Sequence, residues 1–296
     1  MKILVTGSSG LIGTQLTKDL LKTETIFSVY NTSIPTYGIP INLDITQDKQ
    51  VSKVLEEINP DVIVHLAALT DVDKCQENYD LSYKINTKPC KIISKFAEKN
   101  NVFLIYVSTD YVFDGQHGLR KESHLTNPQT IYGKTKLEGE NIIKNSKNPW
   151  CIIRTSTPFG VHSKKKSFLV WVTESLLAGK TIQIVDDQFT SPVYIPHFSE
   201  MLQEIISKKI TGLFHLSGNT RISRYDLAVL LAQNLELNSK LIIPVKIADM
   251  NWKSSRPSDC SLDLAKISSL LENKPKDISE TINLFISDLK KSKILQ

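Results

Sequence analysis

Residues 2–13 read KILVTGSSGLIG, and this stretch decides the fold. Its first five residues form a short apolar run that stops at Gly7, and helical periodicity takes over at Leu11 (LIGTQLTKDLLK, 11–22). A strand, a glycine-rich turn and a helix therefore follow one another without a spacer. Gly7 permits the tight turn, Gly10 lets the backbone approach a pyrophosphate, and Gly13 lets the helix pack closely on the strand. The helix N-terminus offers unpaired N–H groups and a partial positive charge to an anion. A glycine triplet in this setting predicts a dinucleotide site bordered by Gly7, Gly10, Leu11, Ile12 and Gly13.

Working outward, the same alternation continues. IFSVY (26–30) reads as a second strand, and TQDKQVSKVLEEINP (46–60) as an amphipathic helix stopped by Pro60. DVIVHLA (61–67) reads as a buried strand, and a long helical region covers about 73–99. VFLIYVS (102–108), a helix over 132–145 and WCIIRT (150–155) complete the series. Continuously apolar strands alternating with helices predict a Rossmann-type, doubly wound parallel α/β sheet covered on both faces. After residue 155 the pattern loosens into helices at 167–178, 197–207, 223–235 and 277–290, with short strands near 182–185 and 213–216. The expected division is a Rossmann domain over 1–155, with returning segments around 186–220, and a smaller C-terminal α/β lobe over 156–296. That lobe would cover the carboxyl ends of the strands, where open α/β sheets hold their ligands.

Composition narrows the function. The net charge of +5 over 296 residues is diffuse and gives no reason to expect a nucleic-acid partner. Cys75, Cys90, Cys151 and Cys260 are too dispersed for a disulfide or zinc framework, which suits a reducing cytoplasm. The six histidines show no ligand spacing, so no metal is expected. The chain goes straight into a strand, so no secretory leader is expected, and no apolar run reaches the roughly 20 residues a membrane span needs, so no membrane partner is expected. The run Lys164–Lys166 and the tail KKSK (290–293) read most simply as solvated charge, with a phosphate contact from the run as the alternative.

The chemistry is written in two stretches. VSTDYVFDG (107–115) follows a buried strand, so Thr109 sits at the carboxyl end of the sheet. IYGKTK (131–136) opens the next helix and places Tyr132 and Lys136 four residues apart, on one face. Hydride delivery to a ketone builds charge on its oxygen, which must be stabilised and protonated. A free phenol titrates near 10, and a neighbouring ammonium should lower that value and make Tyr132 a working acid. Such an acid contributes about 10²–10⁴-fold in rate. Thr109 or Ser108 can donate a hydrogen bond to the same oxygen, and Asn86 could support a water relay. At the end of the second strand Asn31, Thr32 and Ser33 stand where an acidic residue would favour NAD. These neutral groups do not repel a 2′-phosphate, so NADP(H) is favoured and NAD(H) stays open.

The spacing GxxGxxG together with YxxxK resembles the short-chain dehydrogenase/reductase superfamily. More specifically, GSSGLIG, HLAALTDVDKCQ, STDYVFDG, YGKTKLEGE, IIRTS, DQFTSPVY, GLFHLSG and RPSDCSLDLAKI resemble, in order, the extended dTDP-4-dehydrorhamnose reductase (RmlD) family. The resemblance implies catalytic roles for Thr109, Tyr132 and Lys136, the last also holding the nicotinamide ribose. It implies an adenine contact from Asp44, beside Ile45, although Asp44 reads equally as a cap for the following helix. Ala67, Ala68, Leu69 and Asn86 would border the cofactor, and Asp110 and Tyr111 the sugar. The implied substrate is a 4-keto-6-deoxy nucleotide sugar. Thr109-Asp110 is followed by Tyr111, not by the glutamate that nucleotide-sugar dehydratases carry, so reduction is expected rather than elimination.

Two departures from that family's pattern stand out. RTSTPF places Thr157 where an aromatic residue usually meets the sugar, and Gln15 replaces a carboxylate associated with metal-linked dimers, leaving monomer or homodimer open. Arg256 in SSRPSD is expected either to bind the diphosphate or to tie the two lobes by an ion pair. Arg154 is expected to be structural, and Gln188 and Ser191 to shape a loop over the ligands. The rival readings are a reductase or epimerase of another nucleotide sugar, and a non-catalytic regulatory subunit resembling that of methionine adenosyltransferase.

Overall fold

In the computed structural model, which describes residues 1–292, 294 and 295, β1 (Lys2–Thr6) lies within a seven-stranded parallel sheet. The other strands are β2 (Thr25–Tyr30), β3 (Ile39–Asn42), β4 (Val62–His65), β5 (Phe103–Thr109), β6 (Trp150–Thr155) and β7 (Gly212–His215). Across the sheet they run β7-β6-β5-β4-β1-β2-β3. The order of strand addition reverses between β1 and β4, and at such a point the carboxyl ends of the strands part to form a crevice.

The helices are α1 (Leu11–Leu20), α2 (Asp48–Ile58), α3 (Val72–Glu77), α4 (Tyr79–Asn86), α5 (Lys88–Asn100) and α6 (Ile131–Lys144). They continue as α7 (Phe168–Leu177), α8 (Ile195–Lys208), α9 (Arg224–Asn234), α10 (Ala265–Ser268) and α11 (Ile278–Lys291). Strand residues alternate between two cores. Ile3, Val5, Val62, Val64, Ile105 and Ile153 pack with Leu16 and Leu20 of α1 and Phe198 and Leu202 of α8. Their neighbours Leu4, Ile63, Leu104 and Ile152 pack on the opposite face with Leu55 of α2 and Ile93 and Ala97 of α5. Both faces are buried, which is why these strands carry no polar alternation. A third core gathers Phe159, Leu169 and Val172 with Leu227 and Leu231 of α9 and Ile282 and Phe285 of α11. It surrounds a parallel pair of strands, Ile182–Val185 and Ile242–Val245.

Two elements differ from expectation. The helical region 73–99 is three helices, because Asn78 leaves helical backbone (φ −143°) to cap α4 and Pro89 starts α5 anew. β3 was not expected; its Pro40 is tolerated because this strand forms the sheet edge. Gly212–His215, one of the short strands expected after residue 155, joins the main sheet beside β6. Lys293 of the KKSK tail lies outside the described residues. No helix among the described residues is long and apolar enough to cross a membrane, and the four cysteines are unpaired and buried.

Candidate active site

The crevice is a cleft of about 1050 Å³. Its floor begins at the glycine turn. Gly7 has φ +69°, and a Cβ there would come within 2.8 Å of the Ala67 backbone nitrogen. A Cβ at Gly13 would lie 2.3 Å from the Gly7 carbonyl oxygen. Only hydrogens at these two positions let the turn pass under the end of β4 and let α1 start where it does. Gly10 caps α1 without any side-chain bond, so the first N–H groups of that helix are free to meet an anion in the cleft.

Thr6 shapes the opposite wall. Its hydroxyl accepts from the backbone N–H groups of Leu66 and Ala67, each at 3.2 Å, and lies 2.7 Å from His65 Nδ1. Having accepted twice, it donates to Nδ1, which leaves the His65 proton on Nε2. Burial, with Lys136 nearby, pushes this histidine down to about 3, so the ring stays neutral. Ala67, Ala68 and Leu69 then run along the cleft with Asn31, Asp44 and Ile45. The Asp44 carboxylate accepts from Thr46 N at 2.9 Å, whereas the N-cap of α2 is Gln47. Asp44 therefore braces the turn before α2 rather than capping the helix, and it still faces the cleft.

Asn86 is a correction. It does not line the cleft. Only 1% exposed, it donates to the Leu69 carbonyl (3.1 Å), accepts from Leu69 N–H (2.8 Å) and reaches Thr135 on α6 (3.2 Å). Its amide is taken up by protein partners, and it braces the Ala67–Leu69 wall.

Tyr132 and Lys136 enter from α6. Thr130 caps this helix by accepting from Gly133 N–H at 3.0 Å. Gly133 packs against the turn after β5, which brings the Tyr132 ring to 5.9 Å from that of Tyr111, edge to face. Thr109, Asp110, Tyr111, Tyr132 and Lys136 all line the cleft. Lys136 is 1% exposed; its ammonium donates to the Val107 carbonyl at 2.8 Å and lies 4.0 Å from the centre of the Tyr106 ring. Burial pulls it down to about 8. The expected tuning of Tyr132 by Lys136 is not what this geometry gives. Burial raises the phenol, Thr109 opposes that rise, and Lys136 is turned toward Val107. Tyr132 thus stands fully protonated at neutral pH, as a proton donor must before it acts.

A buried ion pair fixes the frame behind these groups. Arg154, at the end of β6, binds Glu140 of α6 through two bonds of 2.9 and 2.7 Å, and Ser108 donates to the same carboxylate at 2.6 Å. Arg154 is structural, as expected. Ser108 and Thr109 both line the cleft, the Ser108 hydroxyl donating to Glu140 and the Thr109 hydroxyl to Asp110.

A second cavity of about 290 Å³ adjoins the first, and Tyr111 and Arg224 line both. Its walls are Phe168, Trp171, Met250, Trp252 and the guanidinium of Arg256. Arg256 also pairs with Asp73 of α3 at 3.0 Å. Thr157 lines the larger cleft with φ +40°, an uncommon conformation for a β-branched residue. Gln188 is buried and accepts from Arg224 Nε at 2.8 Å, and Ser191 Oγ accepts from Leu262 N–H at 3.1 Å. Sequence reasoning missed Arg224, whose stretch ISRYDLA carries no motif. Lys165 and Lys166, read as solvated charge or as a phosphate contact, border the larger cleft. His162 fixes their loop by contacting Thr14 of α1 at 3.1 Å.

A neutral rim at Asn31, a glycine cradle and an uncapped helix start fit an NAD(P) dinucleotide. Comparison with known proteins agrees with this geometry. Residues 1–291 match the family model described as "RmlD substrate binding domain". The chain is 30% identical over 289 residues to a dTDP-4-dehydrorhamnose reductase of Aggregatibacter actinomycetemcomitans, covering 93% of this chain and 95% of that one. It superposes with TM-score 0.86 and 27% identity on the Bacillus anthracis dTDP-4-dehydrorhamnose reductase in complex with NADP, covering 97% and 98% of the two chains. It is also 27% identical over 275 residues to methionine adenosyltransferase 2 subunit beta of Danio rerio, covering 90% and 84%. The chain belongs to the RmlD substrate-binding-domain family.

Proposed function

We propose that this protein is an NAD(P)H-dependent reductase that converts dTDP-4-dehydrorhamnose, a 4-keto-6-deoxy nucleotide sugar, to dTDP-rhamnose. The observation that carries this reading is the convergence of Thr109, Tyr132 and Lys136 on the cleft that also holds the glycine turn. When bound, the nicotinamide supplies the hydride. Tyr132 holds the proton that the reduced carbonyl oxygen takes up, and its raised phenol stays protonated until that oxygen becomes more basic. Lys136 supplies a positive charge within the same wall and a donor for the cofactor's ribose. Thr109 offers a second hydrogen-bond donor to the carbonyl oxygen.

The adjoining cavity supports a nucleotide as the remote part of the substrate. Phe168, Trp171 and Trp252 give faces for a base, and Arg224 and Arg256 give two guanidiniums for its diphosphate. The reading divides the chain into a cofactor-binding part over 1–155, with segments around 186–220, and a mainly substrate-binding part over 156–296. Four unpaired thiols suit a cytoplasmic setting.

The likeness to a methionine adenosyltransferase subunit favours a second reading, in which the cleft binds a cofactor for regulation. Thr109 and Tyr132 serve no purpose in that reading, so reduction is preferred. Turnover of dTDP-, UDP- and GDP-linked 4-keto-6-deoxy sugars with NADPH and NADH separates the readings. We expect oxidation of the reduced cofactor, fastest with the dTDP sugar. No oxidation with any of them, alongside co-purification with a methionine adenosyltransferase, would replace the reductase reading by the regulatory one.

A further inference from the structure

Thr109 has one hydroxyl proton, and its place is settled by its neighbours. The Thr109 hydroxyl accepts from Tyr111 N–H at 3.2 Å and donates to Asp110 Oδ1 at 2.8 Å. That proton is held by Asp110. Asp110 is buried, 4% exposed, at the head of the short turn that follows β5. A chain of hydroxyls leads in its direction from the far wall: Thr157 and Thr190 are 2.5 Å apart, and Thr190 and Ser156 are 2.7 Å apart. Ser156 and Thr109 both favour the ionised carboxyl of Asp110. A carboxylate at Asp110 accepts the Thr109 proton and keeps it. Only the acid form has a proton to give back.

We propose that Asp110 is a positioning residue that directs the Thr109 hydroxyl: as a carboxylate it retains that hydroxyl's proton, and as a carboxylic acid it donates to Thr109 Oγ1 and frees the proton for the substrate's carbonyl oxygen. This rests on the reductase reading and deepens it. The same side chain touches no reacting atom and acts only through Thr109.

The surroundings make the switch usable. Burial raises the Asp110 carboxyl to about 6, against the pull of Ser156, Thr109 and the Arg224 guanidinium. The groups facing Asp110 are Arg224 of α9, Tyr132 of α6, its neighbour Tyr111, and Cys260 from the segment after Arg256. Burial pushes the two phenols and the thiol up, so none of them changes charge near pH 6.

The test measures kcat/KM for the keto sugar between pH 5 and 8 in the wild type, Asp110→Asn and Thr109→Val, with NADH, which has no 2′-phosphate to titrate. The wild type should lose about tenfold per pH unit above pH 6. Both variants should lack that limb, Asp110→Asn because it cannot ionise and Thr109→Val because there is no hydroxyl to direct. Cofactor affinity near the wild-type value in Asp110→Asn reports that the fold is intact. Infrared titration adds a readout that needs no turnover: a carboxylic-acid band absent from Asp110→Asn that disappears in the wild type near pH 6. A limb retained in an Asp110→Asn protein that binds cofactor normally, or no such band, overturns the proposal. A wild type that reduces no keto sugar overturns the reductase reading instead, and the infrared band still decides whether Asp110 holds a proton.

Discussion

Gly133 lies so close to Tyr111 that a methyl group replacing its hydrogen would sit 2.1 Å from the Tyr111 carbonyl oxygen. The helix that carries Tyr132 and the turn that follows Thr109 therefore touch through a hydrogen atom. Gly133→Ala should push α6 away from Tyr111 and carry Tyr132 with it. Overpacking of this kind costs about 1–3 kcal/mol, and a displacement near 1 Å at a reacting group can cost about 10²-fold in rate. Urea unfolding and kcat, measured together, should both fall. Wild-type values for both would show that α6 has room to spare.

The Glu140–Arg154 pair should behave as a buried ion pair. Burial alone would raise the Glu140 carboxyl, but Arg154, Lys144 and Ser108 outweigh it and hold the group below its ordinary value. Arg154→Met leaves that buried carboxylate with only Lys144 at 3.0 Å and Ser108 at 2.6 Å and should cost up to about 3–5 kcal/mol, with much of the loss recovered in Glu140→Gln/Arg154→Met. The depressed carboxyl contributes stability that is fully present above the ordinary glutamate range and is lost as pH falls through the folded value. Wild-type stability should therefore drop below about pH 4.5, and less steeply in the double variant. A double variant no more stable than Arg154→Met would contradict the pairing.

Lys136 should reduce stability while serving catalysis. Its ammonium is lowered by burial from its ordinary value to about 8, so the unfolded chain binds the proton more tightly than the native one. The cost is complete below pH 8 and fades as pH rises toward the ordinary lysine range, since both states then lose the proton. Each unit of such a shift is worth about 1.4 kcal/mol, and the bond to Val107 returns about 1 kcal/mol. Lys136→Met should therefore abolish turnover yet raise unfolding stability at pH 7 by on the order of 1–3 kcal/mol, an advantage that shrinks above pH 8. A destabilised Lys136→Met protein would show that the cation is net stabilising.

Arg256 is placed to do two things at once, with one nitrogen on Asp73 and its guanidinium 5.1 Å from the Trp252 ring in the second cavity. Arg256→Gln should raise KM for the nucleotide sugar by about tenfold, the loss of one charge-assisted contact. Cofactor affinity should be unchanged, and unfolding stability should shift by less than about 1 kcal/mol, as for a partly exposed pair. A raised KM for the cofactor instead would place Arg256 outside the substrate site.

Legibility in the sequence follows the range of the forces involved. The glycine turn, β1, β5 and the Tyr132–Lys136 spacing are local patterns, so they could be read directly from residues 2–13, 102–108 and 131–136. β3 was missed because a four-residue edge strand with Pro40 lacks any periodic signal. The break at Asn78 was missed because its capping bond to Leu81 depends on backbone geometry, not on composition. Asn86 was misassigned because a buried amide and a relay amide look alike until their partners are known. Arg224 and Lys165 reach the cleft only through the packing of distant segments. Lys136 was expected to tune Tyr132 from helical spacing alone, but the carbonyl of Val107, from β5, claims its ammonium.

The most direct test of the account is Tyr132→Phe, which removes one hydroxyl from a ring that otherwise keeps its packing against Tyr111. Turnover of the 4-keto nucleotide sugar should fall by at least about 10²-fold, with the affinity for the reduced dinucleotide within about twofold of wild type. Near-normal turnover in a variant that binds cofactor normally would mean that the proton comes from elsewhere, and would contradict the role given to this phenol.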